Sequence, residues 1–134
     1  MKTFNQKRTE YMLIRYTWPA MVWSLVILIA TLIPGKAIPK VGFFQIDKVV
    51  HFFIFGVLMF LSCHALKKTW QFTGKPLRFI RIALIYSLAL GIVIELIQQY
   101  VPGRGPSVAD VVANSIGVAL GYGVFRLLQK RTVV

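Results

Sequence analysis

The sequence predicts an all-α membrane protein with four transmembrane helices, and three observations lead to this fold class. Hydrophobic residues make up 57% of the 134 residues, and the mean hydropathy of +0.68 is too high for an ordinary soluble domain. Four apolar stretches each have the roughly 18 to 22 residues that an α-helix needs to cross a ~30 Å hydrocarbon core. The polar and apolar alternation that is typical of a membrane β-barrel is scarce.

The predicted spans follow one another within a single integral membrane domain, residues 1–134, that contains no internal repeat. They cover approximately residues 16–33, 49–66, 82–101 and 107–128. The first span follows a basic segment and precedes small residues, which loosely resembles a secretory signal. Its apolar run is long for such a signal, and Pro34-Gly35 followed by Lys36 is a poor cleavage site. We therefore expect the first span to be retained.

The basic residues predict the orientation of the helices. The net charge is +12, and 12 of the 16 lysines and arginines lie before the first span, between the second and third, or in the last turn of the fourth and beyond it. Only Lys36, Lys40, Lys48 and Arg104 lie on the other side. By the positive-inside rule both termini face the cytoplasm (N-in/C-in) of a bacterial inner membrane. Basic residues at helix ends suit anionic headgroups, so no nucleic-acid partner is expected.

Polar residues that are costly in a bilayer gather at the opposite, extracytoplasmic end of the predicted spans. Such residues are rare within membrane spans and usually belong to a functional site. The set comprises Asp47, Lys48, His51, Glu95, Gln98, Gln99, Arg104, Ser107, Asp110 and Asn114. At a rise of 1.5 Å per residue, Glu95 and Asn114 lie at similar depths, about 9 to 10 Å from their helix ends. The alternative interpretation is that these residues only hold the helices together through hydrogen bonds.

Two stripes of residues predict how the third and fourth helices pack. Asp110, Asn114, Gly117 and Gly121 share one face of the fourth helix, and Gly117 and Gly121 permit the close approach of another helix. The third helix carries a stripe of its own, formed by Ser87, Gly91, Glu95 and Gln98. We expect these two faces to meet in a close-packed hairpin.

The connector between these helices, residues 102–107, is rich in glycine and proline, which predicts a non-helical turn. Ser107 is placed to cap the fourth helix, and Asp110 in its first turn suits the helix dipole. The Arg104 guanidinium could clamp Glu95, Asp110 or a lipid phosphate, or could simply anchor the loop at the interface.

Asp47 and His51 share a face of the second helix, where a carboxylate could orient an imidazole for acid–base chemistry. A capping aspartate beside an interfacial histidine is an equally good explanation. Catalytic residues are not identified, with Glu95, Asp110 and His51 as candidates. Glu95 and His51 alone make too few ligands for a metal, so neither a metal site nor a cofactor is predicted.

The chain resembles the VanZ-like family of small bacterial membrane proteins. The resemblance rests on Asp47-Lys48-x-x-His51-Phe52, Glu95-x-x-Gln98, Gly103-Arg104 and Asp110-x-x-x-Asn114-x-x-Gly117-x-x-x-Gly121. The family is named for a protein associated with resistance to teicoplanin, a glycopeptide that acts on lipid-linked cell-wall precursors. The resemblance therefore implies a cell-envelope role near such precursors, without implying a reaction.

Three functional hypotheses follow. The first is a protein that binds or modulates membrane lipids or lipid-linked envelope precursors through headgroup contacts. This ligand site comprises Asp47, Lys48, His51, Glu95, Gln98, Arg104, Asp110 and Asn114. The second is an intramembrane transferase or hydrolase acting on lipid headgroups. The third, a proton-coupled transporter, is disfavoured because the inner halves of the helices carry almost no polar residue. A homo-oligomer that encloses the site is an open alternative.

Overall fold

The computed structural model describes residues 4–35, 44–70 and 76–131 and contains four α-helices. These are α1 (Phe4–Thr31), α2 (Phe44–Trp70), α3 (Pro76–Gln98) and α4 (Val108–Arg131). Each helix contains a segment that is long and apolar enough to cross a membrane. No strand occurs within the described ranges. The predicted all-α membrane fold with four spanning helices is therefore confirmed.

The helices extend past the apolar stretches where the flanking residues favour helix and stop where they do not. α1 begins at Phe4 and α2 continues to Trp70, so basic segments beside the predicted spans are also helical. Lysine, arginine and glutamine are good helix formers and continue a helix beyond the hydrocarbon. α3 ends at Gln98, shortly before Pro102 and Gly103. Neither residue favours continuation of a helix.

α2 is the central helix and packs against each of the other three. Its buried Phe55, Leu58 and Met59 form the core together with Ile27, Ala83, Ile94, Val118 and Phe125. The Trp23 indole of α1 donates a hydrogen bond to the Ile54 carbonyl of α2 over 2.9 Å. Most other side chains in the spans point outward, as expected for helices whose surroundings are lipid.

The glycine stripe of α4 packs against α2, so the predicted pairing of this stripe with α3 is wrong. A Cβ on Gly117 would overlap the Phe52 carbonyl oxygen, and one on Gly121 would overlap the Gly56 carbonyl oxygen. The helices approach this closely only because α4 has no side chain at these positions. A small-residue stripe identifies a contact surface, but its spacing does not identify the neighbour.

Beside this contact, the outer surface of α2 and α4 carries an apolar groove, which we call the α2–α4 groove. It is lined by Phe52, Phe53, Gly56, Val57, Phe60, Gly117, Leu120, Gly121 and Val124.

At one end of the bundle, the loop between α3 and α4 is held against the end of α1. The Gly35 amide donates a hydrogen bond to the Pro102 carbonyl over 3.1 Å. Gly103 has a φ of 78°, a backbone conformation that favours glycine. The Arg104 amide donates to the Val101 carbonyl over 3.0 Å and closes the turn. These bonds hold the loop at the end of the bundle where α3 ends and α4 begins.

Candidate functional site

The polar residues converge where α2 and α4 begin and α3 ends, a region that we call the polar end. His51 of α2 lies at its centre with 2% of its surface exposed. Its Nδ1 lies 3.0 Å from Asn114 Oδ1 of α4 and 3.7 Å from Glu95 Oε1 of α3. One imidazole thus joins three helices, and the matching depth predicted for Glu95 and Asn114 agrees with their contact with the same ring.

Glu95 also completes the N-terminus of α4. The Ser107 hydroxyl accepts a hydrogen bond from the Asp110 amide over 3.3 Å, as predicted for a capping serine. In a capping box, the acidic residue three positions later would accept the amide of the capping residue. Here Glu95 Oε2 of α3 accepts the Ser107 amide over 3.1 Å instead. Because Glu95 takes this role, the Asp110 carboxylate can interact with α2.

Asp110 pairs with Lys48, the residue that follows Asp47 on α2. The Lys48 Nζ lies 3.3 Å from Asp110 Oδ1, and the Asp110 side chain is 7% exposed. Asp47 Oδ1 lies 3.9 Å from His51 Nε2, on the side of the ring opposite Asn114. The polar end thus brings three carboxylates and one ammonium close to a single imidazole.

Arg104 does not clamp the carboxylate of Glu95 or Asp110. Among the described residues those carboxylates pair with the Ser107 amide, His51 and Lys48, and no ion pair involves Arg104. The Arg104 side chain begins beside Gly35, and its Cγ would lie 3.5 Å from a Cβ at that position. The capped turn presents a backbone amide to Glu95, and Arg104 is left partly exposed at the rim of the polar end.

Several buried polar atoms of the polar end have no hydrogen-bond partner within the described part of the chain. They are Glu95 Oε1, Gln98 Nε2 and Asn114 Nδ2. Gln98 is 2% exposed and Glu95 4% exposed, so bulk water does not satisfy them freely. A buried polar atom without a partner costs about 1 to 3 kcal/mol. The polar end therefore has hydrogen-bonding capacity that its described residues do not use.

A second group of side chains at the polar end could together hold a metal ion, namely Asp47, His51 and Asp110. One potential ligand atom from each lies within 4.8 Å of the others. Sequence spacing revealed the Asp47 and His51 pair but missed this group, because Asp110 comes from another helix and contacts α2, whereas we expected it to face α3.

The structure thus assembles seven of the eight predicted ligand-binding residues at the polar end and places Arg104 at its rim. Six of the seven are joined by the contacts described above, namely Asp47, Lys48, His51, Glu95, Asp110 and Asn114. Gln98 lies one helical turn beyond Glu95, with its amide buried. The three catalytic candidates, Glu95, Asp110 and His51, are all buried here.

Comparison with known proteins identifies the family. The family model VanZ/LLP1 matches residues 3–129, which is nearly the whole chain. The chain therefore belongs to the VanZ/LLP1 family, and its four apolar helices make it a multi-pass membrane protein. Neither a search of curated proteins nor a search of solved structures found a match.

Proposed function

We propose that this VanZ/LLP1 protein uses its polar end to bind the headgroup of a membrane lipid or a lipid-linked cell-wall precursor. The observation that carries this proposal is a group of buried polar atoms on Glu95, Gln98 and Asn114 that have no partner among the residues the structure describes. The amide groups of Gln98 and Asn114 are donors, so they suit the phosphate or hydroxyl oxygens of a headgroup. A headgroup would satisfy atoms that otherwise destabilise the fold.

Two cations support the same ligand class. Lys48 is 28% exposed in its side chain, and Arg104 lies partly exposed at the rim. Lys48 interacts with Asp110, yet its exposed part can contact a second anion. A planar guanidinium such as that of Arg104 can bind phosphate through two parallel hydrogen bonds. A lipid approaching from the membrane would therefore meet positive charge first and buried donors second.

The proposal includes an orientation in which the polar end faces the extracytoplasmic side of a bacterial inner membrane. The uneven distribution of basic residues supports this orientation. In a Cys63→Ala background, an impermeant thiol reagent should label Gly105→Cys in intact cells. Gly74→Cys, in the segment between α2 and α3, should be labelled only after the membrane is broken. The reverse pattern would contradict the orientation.

Lipid retention tests the binding role directly. Gln98→Met removes the unpaired amide with little change of volume. Ser62→Ala is the matched control, because Ser62 Oγ is also buried and unpaired but lies about 16 Å further along α2 than His51. Lipids that copurify in mild detergent would be quantified by mass spectrometry. We expect Gln98→Met to lose about tenfold in bound lipid, the effect of one hydrogen bond to a charged group, and Ser62→Ala to lose none. Equal retention by both variants would contradict the proposal.

The same proposal extends to glycopeptide susceptibility. If the ligand is a lipid-linked precursor, occupation of the polar end changes the pool available to an antibiotic such as teicoplanin. Expression of the protein should then shift the inhibitory concentration of teicoplanin, and Gln98→Met at matched abundance should abolish the shift. If the inhibitory concentration still shifts with Gln98→Met, the effect on teicoplanin susceptibility does not depend on the polar end.

An intramembrane transferase or hydrolase acting on lipid headgroups is the second candidate, and the position of His51 favours it. The imidazole lies 3.9 Å from the carboxylate of Asp47 and 3.7 Å from that of Glu95, an arrangement suited to proton transfer. Purified protein incubated with labelled envelope lipids would reveal a product. Turnover that is lost in Glu95→Gln would establish the enzyme, whereas binding without product would support the first proposal.

A further inference from the structure

We infer that Asp47, His51 and Asp110 form a binding site for one divalent cation at the polar end. Their potential ligand atoms lie within 4.8 Å of one another, and Asp47 Oδ1 is 3.9 Å from His51 Nε2. Ligands of a tetrahedral zinc ion are separated by about 3.3 Å, given bond lengths of about 2.0 to 2.1 Å. The Asp47 side chain is 42% exposed, so a small rotation can bring its oxygen into position.

The atoms around His51 favour the tautomer in which Nε2 can act as a ligand. Two oxygen atoms face Nδ1, namely Asn114 Oδ1 at 3.0 Å and Glu95 Oε1 at 3.7 Å. Both are acceptors and Asn114 Oδ1 is the nearest of the three facing oxygens, which favours the tautomer with its proton on Nδ1. The lone pair on Nε2 then points toward the carboxylate of Asp47. Histidine ligands of metals commonly donate their other N–H to an amide or carboxylate oxygen in this way.

The buried carboxylate of Glu95, which faces Nδ1, also favours a cation on the other ring nitrogen, Nε2. Its Oε1 has no hydrogen-bond partner within the described residues, is directed at the His51 ring, and belongs to a side chain that is 4% exposed. Together with Asp47 and Asp110 it places three carboxylates around an imidazole, with Lys48 as the counter-charge. Carboxylates this close repel one another when they are ionised. A divalent cation on the Nε2 side would lower this repulsion between Asp47 and Asp110.

The chemistry of these ligands selects the class of ion. Carboxylates suit manganese and imidazole suits zinc, so a mixed set of two carboxylates and one histidine accommodates either ion. Three protein ligands also leave coordination positions open, as in metal sites that bind a further ligand. For the proposed headgroup ligand, which rests on the proposed function, an open position would accept a phosphate oxygen. The cation would thus explain how an acidic cluster can hold an anionic lipid.

The site can be tested without any lipid, so its failure can be told apart from failure of headgroup binding. Full-length protein, with its purification tag removed, would be stripped with chelator in detergent and titrated with Mn²⁺ alone. The loss of the free Mn²⁺ signal in electron paramagnetic resonance measures binding. We expect one Mn²⁺ per chain, displaced by Zn²⁺, with nitrogen coupling from His51 in pulsed spectra. No saturable binding of either ion would overturn the inference.

Variants locate the ion. Asp47→Asn changes a half-exposed group at the start of α2 and should fold normally, yet it should weaken Mn²⁺ binding by at least about tenfold. Glu10→Gln is the control, because it also removes one carboxylate but from an exposed position on α1 far from the polar end. His51→Gln should abolish the nitrogen coupling.

Lys48→Met provides a result that general structural damage would not produce. Removing the ammonium beside Asp110 removes a competing positive charge, so Mn²⁺ should bind more tightly to this variant. Equal affinity in Asp47→Asn and Glu10→Gln, or weaker binding in Lys48→Met, would contradict the assigned site.

Discussion

The two halves of the contact between α2 and α4 are built on different principles. Away from the polar end, Gly117 and Gly121 lie directly against the backbone carbonyls of Phe52 and Gly56, and the contact is closed by backbone atoms. At the polar end, the same pair of helices is joined by His51 with Asn114 and by Lys48 with Asp110. The first half leaves no room for a side chain between the helices. The second half contains buried polar atoms that have no partner within the described ranges.

This difference bears on whether the polar end only joins the helices or also forms the proposed site. Interhelical hydrogen bonds in membranes contribute about 0.6 to 2 kcal/mol each, and each unpaired buried group costs about as much. A cluster that served only to join helices would gain most if all of its members were paired. Gln98 Nε2 and Asn114 Nδ2 are not paired within the described structure. We interpret the glycine half as the scaffold and the polar half as the site it supports.

The largest effect is expected in the glycine half. Gly117→Leu forces a side chain into the Phe52 carbonyl, and overpacking of this kind costs about 3 kcal/mol or more. Thermal unfolding in detergent should show a clear loss of stability. Gly123→Leu is the control on the same helix, because a Cβ there meets no atom within 4 Å. Similar stability of the two variants would mean that α2 and α4 do not approach this closely.

An intermediate effect is expected for the bond between His51 and Asn114. His51→Leu and Asn114→Leu should each cost about 1 to 3 kcal/mol, because each leaves the other buried partner unsatisfied. The double variant should lose clearly less than the sum of the two, as residues that share one interaction do. Titration with a denaturing detergent would measure all three. Strictly additive losses would show that the two side chains do not interact directly.

The smallest effect is expected for Glu95→Gln. The glutamine oxygen can still accept the Ser107 amide, so the cap of α4 persists and the loss of stability should be clearly smaller than that caused by losing the cap. Glu95→Leu removes the acceptor and should cost about 1 to 2 kcal/mol in the same thermal assay. If Glu95→Gln is as damaging as Glu95→Leu, the charge of Glu95 supports the fold, and its assignment to the site would be wrong.

The sequence was sufficient to predict the fold because hydrophobic length and charge patterning act on each helix separately. Each α4 residue of the predicted stripe does lie on one buried face. The neighbour of that face was predicted incorrectly, because hydropathy does not distinguish between packing on α2 and packing on α3. The short loop between α3 and α4 favoured α3 as the neighbour. In the structure the two glycines of α4 lie against backbone carbonyls of α2 instead.

The residues that gather at the polar end were predicted from the sequence, but their pairing was not. The high cost of polar groups in a bilayer identified His51, Glu95 and Asn114, and His51 contacts both of the others. The sequence could not show that Glu95 accepts a hydrogen bond from the Ser107 amide or that Lys48 forms an ion pair with Asp110. Such partners depend on how the capped turn is placed, and Arg104 clamps neither carboxylate, which was one of the alternatives that the sequence left open.

The most direct test of a ligand site at the polar end is a crystal structure grown from a lipid mesophase with copurified lipid retained. We predict headgroup density within about 3.2 Å of Gln98 Nε2, the distance of a hydrogen bond. Its acyl chains should extend toward the hydrocarbon. A structure in which the polar end is closed by its own side chains, with lipid only along the α2–α4 groove, would contradict the proposed site.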